Sequence, residues 1–315
     1  MSEKTPIMAD GLPQALIHLF DDYEILQWDT ADGAEALERA HALVSYGHPG
    51  ADGALMDRMP NLKVISNHGV GVDHIDVAAA TERNVPVGNT PGCLNASTAD
   101  MTFALLMAAA RNIVIGDHFA RGPEFTHYDP SLMIGKEVTG STLGIVGMGR
   151  IGREVAKRAA GFDMQVLYHN RSRDEAAEDE LGVSYRTLEE LLAESDFVAL
   201  NCPLTPETTG MIGAAELERM KSDAILVNMA RGGVVDTDAL YDALVNKQIA
   251  IAALDVTEPE PLPRGHRLLE LDNLVIAPHL GSASDRTRQK MMEMTIENLV
   301  AGLAGDPLPY QVRSN

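Results

Sequence analysis

Cysteine is nearly missing from this chain: Cys93 and Cys202 are its two thiols in 315 residues. Neither has the spacing of a metal-ligand set, so no metal is expected. Two isolated thiols suit a reducing compartment better than a disulfide framework. Aromatic residues make up 4% of the sequence, and Trp28 is the single tryptophan. Positive charge is also scarce, with 25 Lys and Arg against 46 Asp and Glu and a formal net charge of −21. Such a surface repels nucleic acid and anionic membranes, so neither is expected as a partner, and an anionic small molecule needs a locally positive pocket. No apolar run has the length of a membrane span. The first ten residues lack the apolar core of a signal peptide, so the expected location is the cytoplasm.

What is present is the composition of a globular protein, 45% hydrophobic and 23% charged, long enough for two domains. Short strand-like runs alternate with helical patterns along most of it. In the first hundred residues strands are expected at Ile7–Met8, Tyr23–Trp28, Ala42–Tyr46, Leu62–Asn67 and Val85–Gly88, with helices at Pro13–Phe20, Ala34–Ala40, Gly53–Arg58 and Ile75–Arg83. This alternation implies a parallel sheet with helices on both faces. Ser97–Arg111 is apolar nearly all round, as in a helix buried between two bodies, and places the domain crossing. Ile115–Thr139 has little periodicity and carries Phe119, Phe125, His127 and Tyr128. That reads as an irregular arm, either a surface loop or, better for its aromatics, a subunit contact.

A glycine turn follows. Leu143–Val146 reads as a buried strand, and Gly147-x-Gly149-x-x-Gly152 opens an amphipathic helix with Ile151, Val155 and Ala159 on one face. In a dinucleotide site Gly147 allows the tight turn, Gly149 the approach of a pyrophosphate, and Gly152 close helix–strand packing. The motif alone is weak; the strand before it and the helix after it strengthen it. Further strands are expected at Met164–Tyr168, Phe197–Asn201, Ala224–Asn228, Ile249–Asp255 and Leu274–Ala277, making six with the opening strand. Helices are expected at Leu188–Ala193, with a Thr187/Glu190 capping box, and at Ala214–Lys221, Thr237–Val245 and Ser284–Ala304. The last of these, following the sixth strand, is placed to return to the first domain.

The end of the second strand selects the cofactor. An acidic residue about 20 positions past the turn would hold the ribose hydroxyls of NAD. Here the chain reads Asn170-Arg171-Ser172-Arg173, with no carboxylate before Asp174. Two arginines and a serine suit a 2′-phosphate, so NADP(H) is expected over NAD(H), the alternative being that both arginines are solvated surface charge. Three ionisable residues, Arg231, Glu260 and His279, sit after later strand ends, where an open α/β sheet forms its ligand crevice. Singly each has a dull reading as a turn or loop residue. Three in one sheet point to the nicotinamide.

The whole pattern resembles the D-isomer-specific 2-hydroxyacid dehydrogenase family, close to its glyoxylate/hydroxypyruvate reductases. The residues that carry the likeness are Asn67-His-Gly-Val-Gly-Val-Asp-His-Ile-Asp76, Asn89-Thr-Pro-Gly92, Gly144–Gly152 and Pro203-Leu-Thr-Pro-Glu-Thr208. They continue with Asn228-Met-Ala-Arg-Gly-Gly-Val-Val-Asp236, Leu254–Pro261 and Ala277-Pro-His279. The resemblance implies an α/β fold of two doubly wound parallel-sheet domains, a Rossmann cofactor domain (99–285) inserted into a flavodoxin-like substrate domain (1–98 and 286–315). It implies that Arg231 grips the carboxylate of a 2-keto acid and polarises its keto oxygen, and that His279 protonates that oxygen as hydride arrives. Glu260, rather than Glu258, would orient the imidazole and favour its protonated form. Amides near Val70 and Gly71 would bind the substrate carboxylate. Thr98, Arg150, Ile151, Cys202, Pro203, Thr208, Met229, Ala230, Asp255 and Gly281 would line the cofactor beside the glycine turn and Asn170–Arg173. Asp255 has an alternative as a strand-end cap, and Cys202 as packing.

The expected activity is NADPH-dependent reduction of a small 2-keto acid, in a homodimer. A formate dehydrogenase-like enzyme is disfavoured because those relatives carry glutamine where Glu260 stands. A dinucleotide-sensing module of the corepressor type is the reading from another class. One departure matters: many relatives have a tryptophan in the arm before the glycine turn, and here the arm offers Phe125, His127 and Tyr128 instead.

Overall fold

The computed structural model describes residues 4–9, 11–27, 33–47 and 50–312. The chain divides into two compact units, Met1–Leu94 with Ser284–Asn315, and Asn95–Ala283. The first unit begins β1 (Thr5–Met8), β2 (Tyr23–Leu26), α1 (Gly33–Arg39), β3 (Ala42–Ser45), α2 (Gly53–Asp57), β4 (Val64–Asn67), α3 (Val77–Glu82) and β5 (Val87–Gly88). Its five strands are all parallel in the order β2-β1-β3-β4-β5, the doubly wound order of flavodoxin-like sheets. Residues Gln14–Phe20, expected as a helix, form a tighter 3-10 segment, closed where the Leu16 N–H donates to the Pro13 carbonyl. The expected strand end at Trp28 lies outside the described residues.

The second unit opens with α4 (Asn95–Ala110) and α5 (Ile113–Arg121), then β6 (Thr142–Val146), α6 (Arg150–Ala159), β7 (Gln165–His169), α7 (Glu175–Leu181) and β8 (Ser184–Tyr185). It continues with α8 (Leu188–Glu194), β9 (Phe197–Leu200), α9 (Ala214–Arg219), β10 (Ile225–Asn228), α10 (Thr237–Val245), β11 (Ile251–Leu254) and β12 (Leu274–Ile276). The strand order β12-β11-β10-β9-β6-β7-β8, all parallel, is the Rossmann order with one strand added. The sheet therefore has seven strands rather than six. The strand not expected from the sequence, β8, is two residues long and leaves no apolar run to recognise.

Side chains alternate between two cores along these strands. Phe197 and Ala199 face the layer of α4 and α6, while Val198 and Leu200 face the layer of α8 to α10. In α4 the residues Ala99, Phe103, Leu105, Leu106, Ala109 and Ala110 are buried in the first of these cores. Among the described residues no single helix is long and apolar enough to cross a membrane; α4 and α5 reach that length only together, across a 58° bend.

The arm differs from its expected irregular form, because its first part is the helix α5. Asn112, in the left-handed region at φ 53°, breaks the chain away from α4, and Gly122-Pro123 ends the new helix. None of the α5 residues is buried. The capping box at the start of α8 is formed as expected, Thr187 and Glu190 each bonding the other's backbone N–H. The closing helix α11 (Asp285–Ala304) packs on β3 and β4 within the first unit. Contact is close enough that a Cβ on Gly302 would come within 2.4 Å of Val64.

Candidate active site

Each glycine of the turn after β6 has a distinct environment. Gly147 has φ +100°, and a Cβ there would lie 2.6 Å from the Cys202 amide nitrogen. At Gly152 a Cβ would lie 2.2 Å from the Gly147 carbonyl oxygen. Gly149 is the opposite case, with nothing within 4 Å of its Cβ position. Two glycines are thus required by the protein's own packing, and the third leaves open space. Gly149 is also the N-cap of α6 and offers no side chain to the first helical N–H groups, beside the exposed Arg150 and the half-buried Ile151. Open space before uncapped helical amides fits a pyrophosphate.

At the end of β7, the Asn170 side chain accepts from the Met148 N–H at 2.8 Å and so ties strand end to glycine turn. Arg171, Ser172 and Arg173 are exposed. Arg173 is already engaged, donating from Nη2 and Nε to the two oxygens of Glu178 at 2.6 and 2.8 Å. Glu178 also accepts from the Tyr168 hydroxyl at 2.8 Å, and these partners hold its carboxyl down at about 2. Asp174, the first carboxylate in this stretch, caps α7 and pairs with Arg153 at 2.6 Å.

The loops after β10, β11 and β12 carry the three ionisable candidates. Asn228, the last residue of β10, accepts from Ala230 N–H at 3.0 Å and donates to the Arg231 carbonyl at 2.9 Å. This side chain shapes the turn from which half-buried Arg231 projects. The next residue, Gly232, passes so near the following loop that a Cβ would meet the Thr257 carbonyl carbon at 2.0 Å. After β11 the chain reaches Glu260, whose Oε1 bonds His279 Nδ1 at 2.6 Å. A carboxylate accepts from Nδ1–H, so it is Nε2 that faces away from Glu260. Arg231 and Glu260 meanwhile sit on loops that Gly232 holds against one another.

Asp255 sets the backbone beneath His279. Its carboxylate accepts from Leu280 N–H at 2.7 Å and Gly281 N–H at 2.8 Å, and its carbonyl accepts from His279 N–H at 2.9 Å. His279 itself is in the left-handed region at φ 56°. Asp255 is 2% exposed, and burial pushes its carboxyl above the ordinary carboxylate value against the pull of the two amides. A Cβ on Gly281 would approach Asp255, Met229 and Thr98 within 3.1 to 3.5 Å, so these four expected cofactor residues lie together. Ala230 is buried next to them in sequence. The Cys202 backbone lies under Gly147, and burial raises its thiol to about 11. Thr208 closes the loop that starts at Pro203, donating to the Pro203 carbonyl at 2.7 Å and accepting from Thr205 N–H at 2.8 Å.

In the first unit, the loop after β4 is held by its carbonyls. Asn67 donates to the carbonyls of Gly69 at 3.0 Å and Gly71 at 2.8 Å, Asn89 to that of Val70 at 2.9 Å, and Thr90 N–H to that of Gly69 at 3.0 Å. The carbonyls of Gly69, Val70 and Gly71 are thus all engaged by side chains or backbone of the same unit.

Residues 103–281 match the family described as D-isomer specific 2-hydroxyacid dehydrogenase, NAD binding domain. The chain belongs to the D-isomer-specific 2-hydroxyacid dehydrogenases. It is 51% identical over 279 residues to a glyoxylate reductase of Korarchaeum cryptofilum, covering 88% of this chain and 84% of the relative. The crystal structure of the TT0316 protein from Thermus thermophilus superposes with a TM-score of 0.89 at 43% identity, covering 98% and 99% of the two chains. A Sinorhizobium meliloti NADPH-dependent glyoxylate/hydroxypyruvate reductase, crystallised with NADP and malonate, has a TM-score of 0.86 at 30% identity and covers 98% and 97%. The dehydrogenase is accordingly an enzyme that interconverts a 2-keto acid and a 2-hydroxy acid on a nicotinamide-binding domain.

What motif reasoning passed over in this dehydrogenase is its asparagines. Asn67 and Asn228 end β4 and β10, and their amides shape the turns that follow. Asn at a strand end before a glycine-bearing loop is the signal that would have found them.

Proposed function

We propose that this dehydrogenase reduces a small 2-keto acid of the glyoxylate or hydroxypyruvate type to the D-2-hydroxy acid, with NADPH as preferred reductant. The observation that carries the reading is the 2.6 Å bond between Glu260 and His279 Nδ1 at the end of a dinucleotide-type sheet. When bound, the dihydronicotinamide supplies the hydride. His279 holds the proton at Nε2 and delivers it to the keto oxygen, and takes it back in the oxidative direction. Glu260 fixes which ring nitrogen faces the substrate. Arg231 binds the substrate carboxylate and stabilises charge gathering on the keto oxygen.

Preference for NADPH rests on Arg171 and Ser172, the exposed donors after β7 that have no carboxylate among them. Arg173 is the secondary arginine, since Glu178 already holds it. The test is kcat/KM with NADPH and NADH, for the wild type and for Arg171→Ala. The expected result is a wild-type preference for NADPH that Arg171→Ala cuts by about tenfold, the scale of one charge-assisted hydrogen bond. A wild type that uses NADH as well as or better than NADPH overturns the preference and leaves the keto-acid reading standing.

A homodimer is the proposed assembly. Tyr128 and Ile134 are 80% and 79% exposed, and Ile113, Phe125 and Leu132 add to the apolar surface of α5 and the arm. Phe119 and Phe125 stack edge to face at 5.5 Å, which gives the arm a fixed shape. Exposed apolar area of this kind marks an interface. Sedimentation at working concentration checks it, and a monomer contradicts it.

A further inference from the structure

One buried polar side chain in the second unit is left without work by everything above. Asn201 follows β9, and both its amide nitrogen and its amide oxygen are buried with no partner among the described residues. Native folds rarely leave both halves of a buried amide unsatisfied. The contrast with Asn228, one strand away, is direct: there both halves bond the adjoining turn.

Position in the sheet says what could fill the gap. The Asn201 N–H donates to the Val146 carbonyl at 2.8 Å, and the Met229 N–H donates to the Leu200 carbonyl at 3.1 Å, so the residue sits between the ends of β6 and β10. Its backbone lies directly under the glycine turn, within 3 Å of the Cβ position of Gly147. Strand alternation continues from Phe197 and Ala199 to Asn201 and puts its side chain on the α4 and α6 face. The pyrophosphate site is at the end of β6, and the group of Thr98, Met229, Asp255 and Gly281 includes the ends of β10 and β11. A dinucleotide held at both would cross the end of β9 with the ribose that joins pyrophosphate to nicotinamide.

We propose that the Asn201 amide binds the hydroxyls of that nicotinamide-side ribose. An amide offers a donor and an acceptor, and a ribose diol offers the complement of both. The proposal rests on the dinucleotide reading of the site and adds to it a residue that discriminates ribose-bearing ligands.

The test is calorimetric titration of wild type and Asn201→Leu with three ligands: NADPH, 2′-phospho-ADP-ribose and adenosine 2′,5′-bisphosphate. The first two carry the second ribose and the third does not. NADH, ADP-ribose and ADP form the equivalent series if the protein binds NADH instead. Asn201→Leu is expected to weaken the two ribose-bearing ligands by about tenfold or more and leave the third unchanged, as for loss of hydrogen bonds to a polar ligand. Thermal melting of the ligand-free variant is expected to match or exceed that of the wild type, because an apolar group replaces an unpaired amide. Asn201→Ala, which adds no bulk, is expected to show the same selective loss. Equal affinity for all three ligands in both variants overturns the proposal. So does a fall in ligand-free melting temperature without a selective loss, which would make Asn201 a structural residue. A wild type that binds none of the ligands overturns the dinucleotide reading itself.

Discussion

The glycine turn and the His279 corner stand at strand ends of one sheet, yet they are built by opposite means. The turn works by removing side chains. Gly147 and Gly152 are glycine because neighbouring backbone occupies the Cβ positions, and Gly149 is glycine where the space is open. The corner works by adding side chains that reach back to the main chain: Asp255 holds the amides of Leu280 and Gly281, and Glu260 holds the His279 ring. A site made of backbone resists substitution sterically, whereas one made of side chains fails bond by bond.

The sharpest way to break this comparison is within the turn itself. Gly152→Ala places a methyl 2.2 Å from the Gly147 carbonyl oxygen, part of the turn's own backbone. It is expected to destabilise the ligand-free protein by about 3 kcal/mol or more, because backbone must move. Gly149→Ala meets no protein atom and is expected to leave the melting temperature unchanged while weakening dinucleotide binding. Melting and titration of both variants decide it; equal melting temperatures for the two would remove the distinction between packing glycine and ligand glycine.

In the corner the expected loss is smaller and divided. Asp255→Asn keeps one acceptor and turns an NH2 toward the second amide, so one of the two bonds at 2.7 and 2.8 Å is lost. Stability is expected to fall by about 1–3 kcal/mol, the cost of an unsatisfied buried group. Turnover is expected to fall about 100-fold through displacement of His279. Unchanged turnover in a folded Asp255→Asn would show that the 279–281 turn does not depend on this carboxylate.

The smallest effect concerns the loop after β7 and is read through pH. Glu178 has its carboxyl lowered from an ordinary 4.5 to about 2, chiefly by the bond from Arg173. A lowered carboxylate contributes stability above the unfolded-state value and loses it as pH falls through the folded one. The difference in urea midpoint between wild type and Glu178→Gln is therefore expected to be largest above pH 5 and to shrink between pH 4.5 and pH 2. A difference independent of pH would mean that Glu178 acts by packing rather than by charge.

Both sites were legible in the sequence to the extent that their parts are local. The glycine spacing, the strand before it and the helix after it are contiguous, so the turn could be read outright. Arg231, Glu260 and His279 could be placed at strand ends by the same periodicity. The bonds that support them could not, because Asp255 and the 280–281 amides, 25 and 26 positions on, meet only through the pairing of β11 with β12. β8 escaped notice for want of length, and α5 because its nine residues bury none of their side chains and run straight into the Gly122-Pro123 breakers. Asn201 is the extreme case: its identity is unremarkable, and only its missing partners draw attention to it.

The account stands most directly on His279. Steady-state NADPH oxidation with glyoxylate, measured for wild type and His279→Ala beside an NADPH titration of each, separates chemistry from binding. The predicted result is a loss of turnover on the order of 1,000-fold, within the range for removal of a general acid, with NADPH affinity changed by less than about threefold. Turnover within about tenfold of wild type would contradict it.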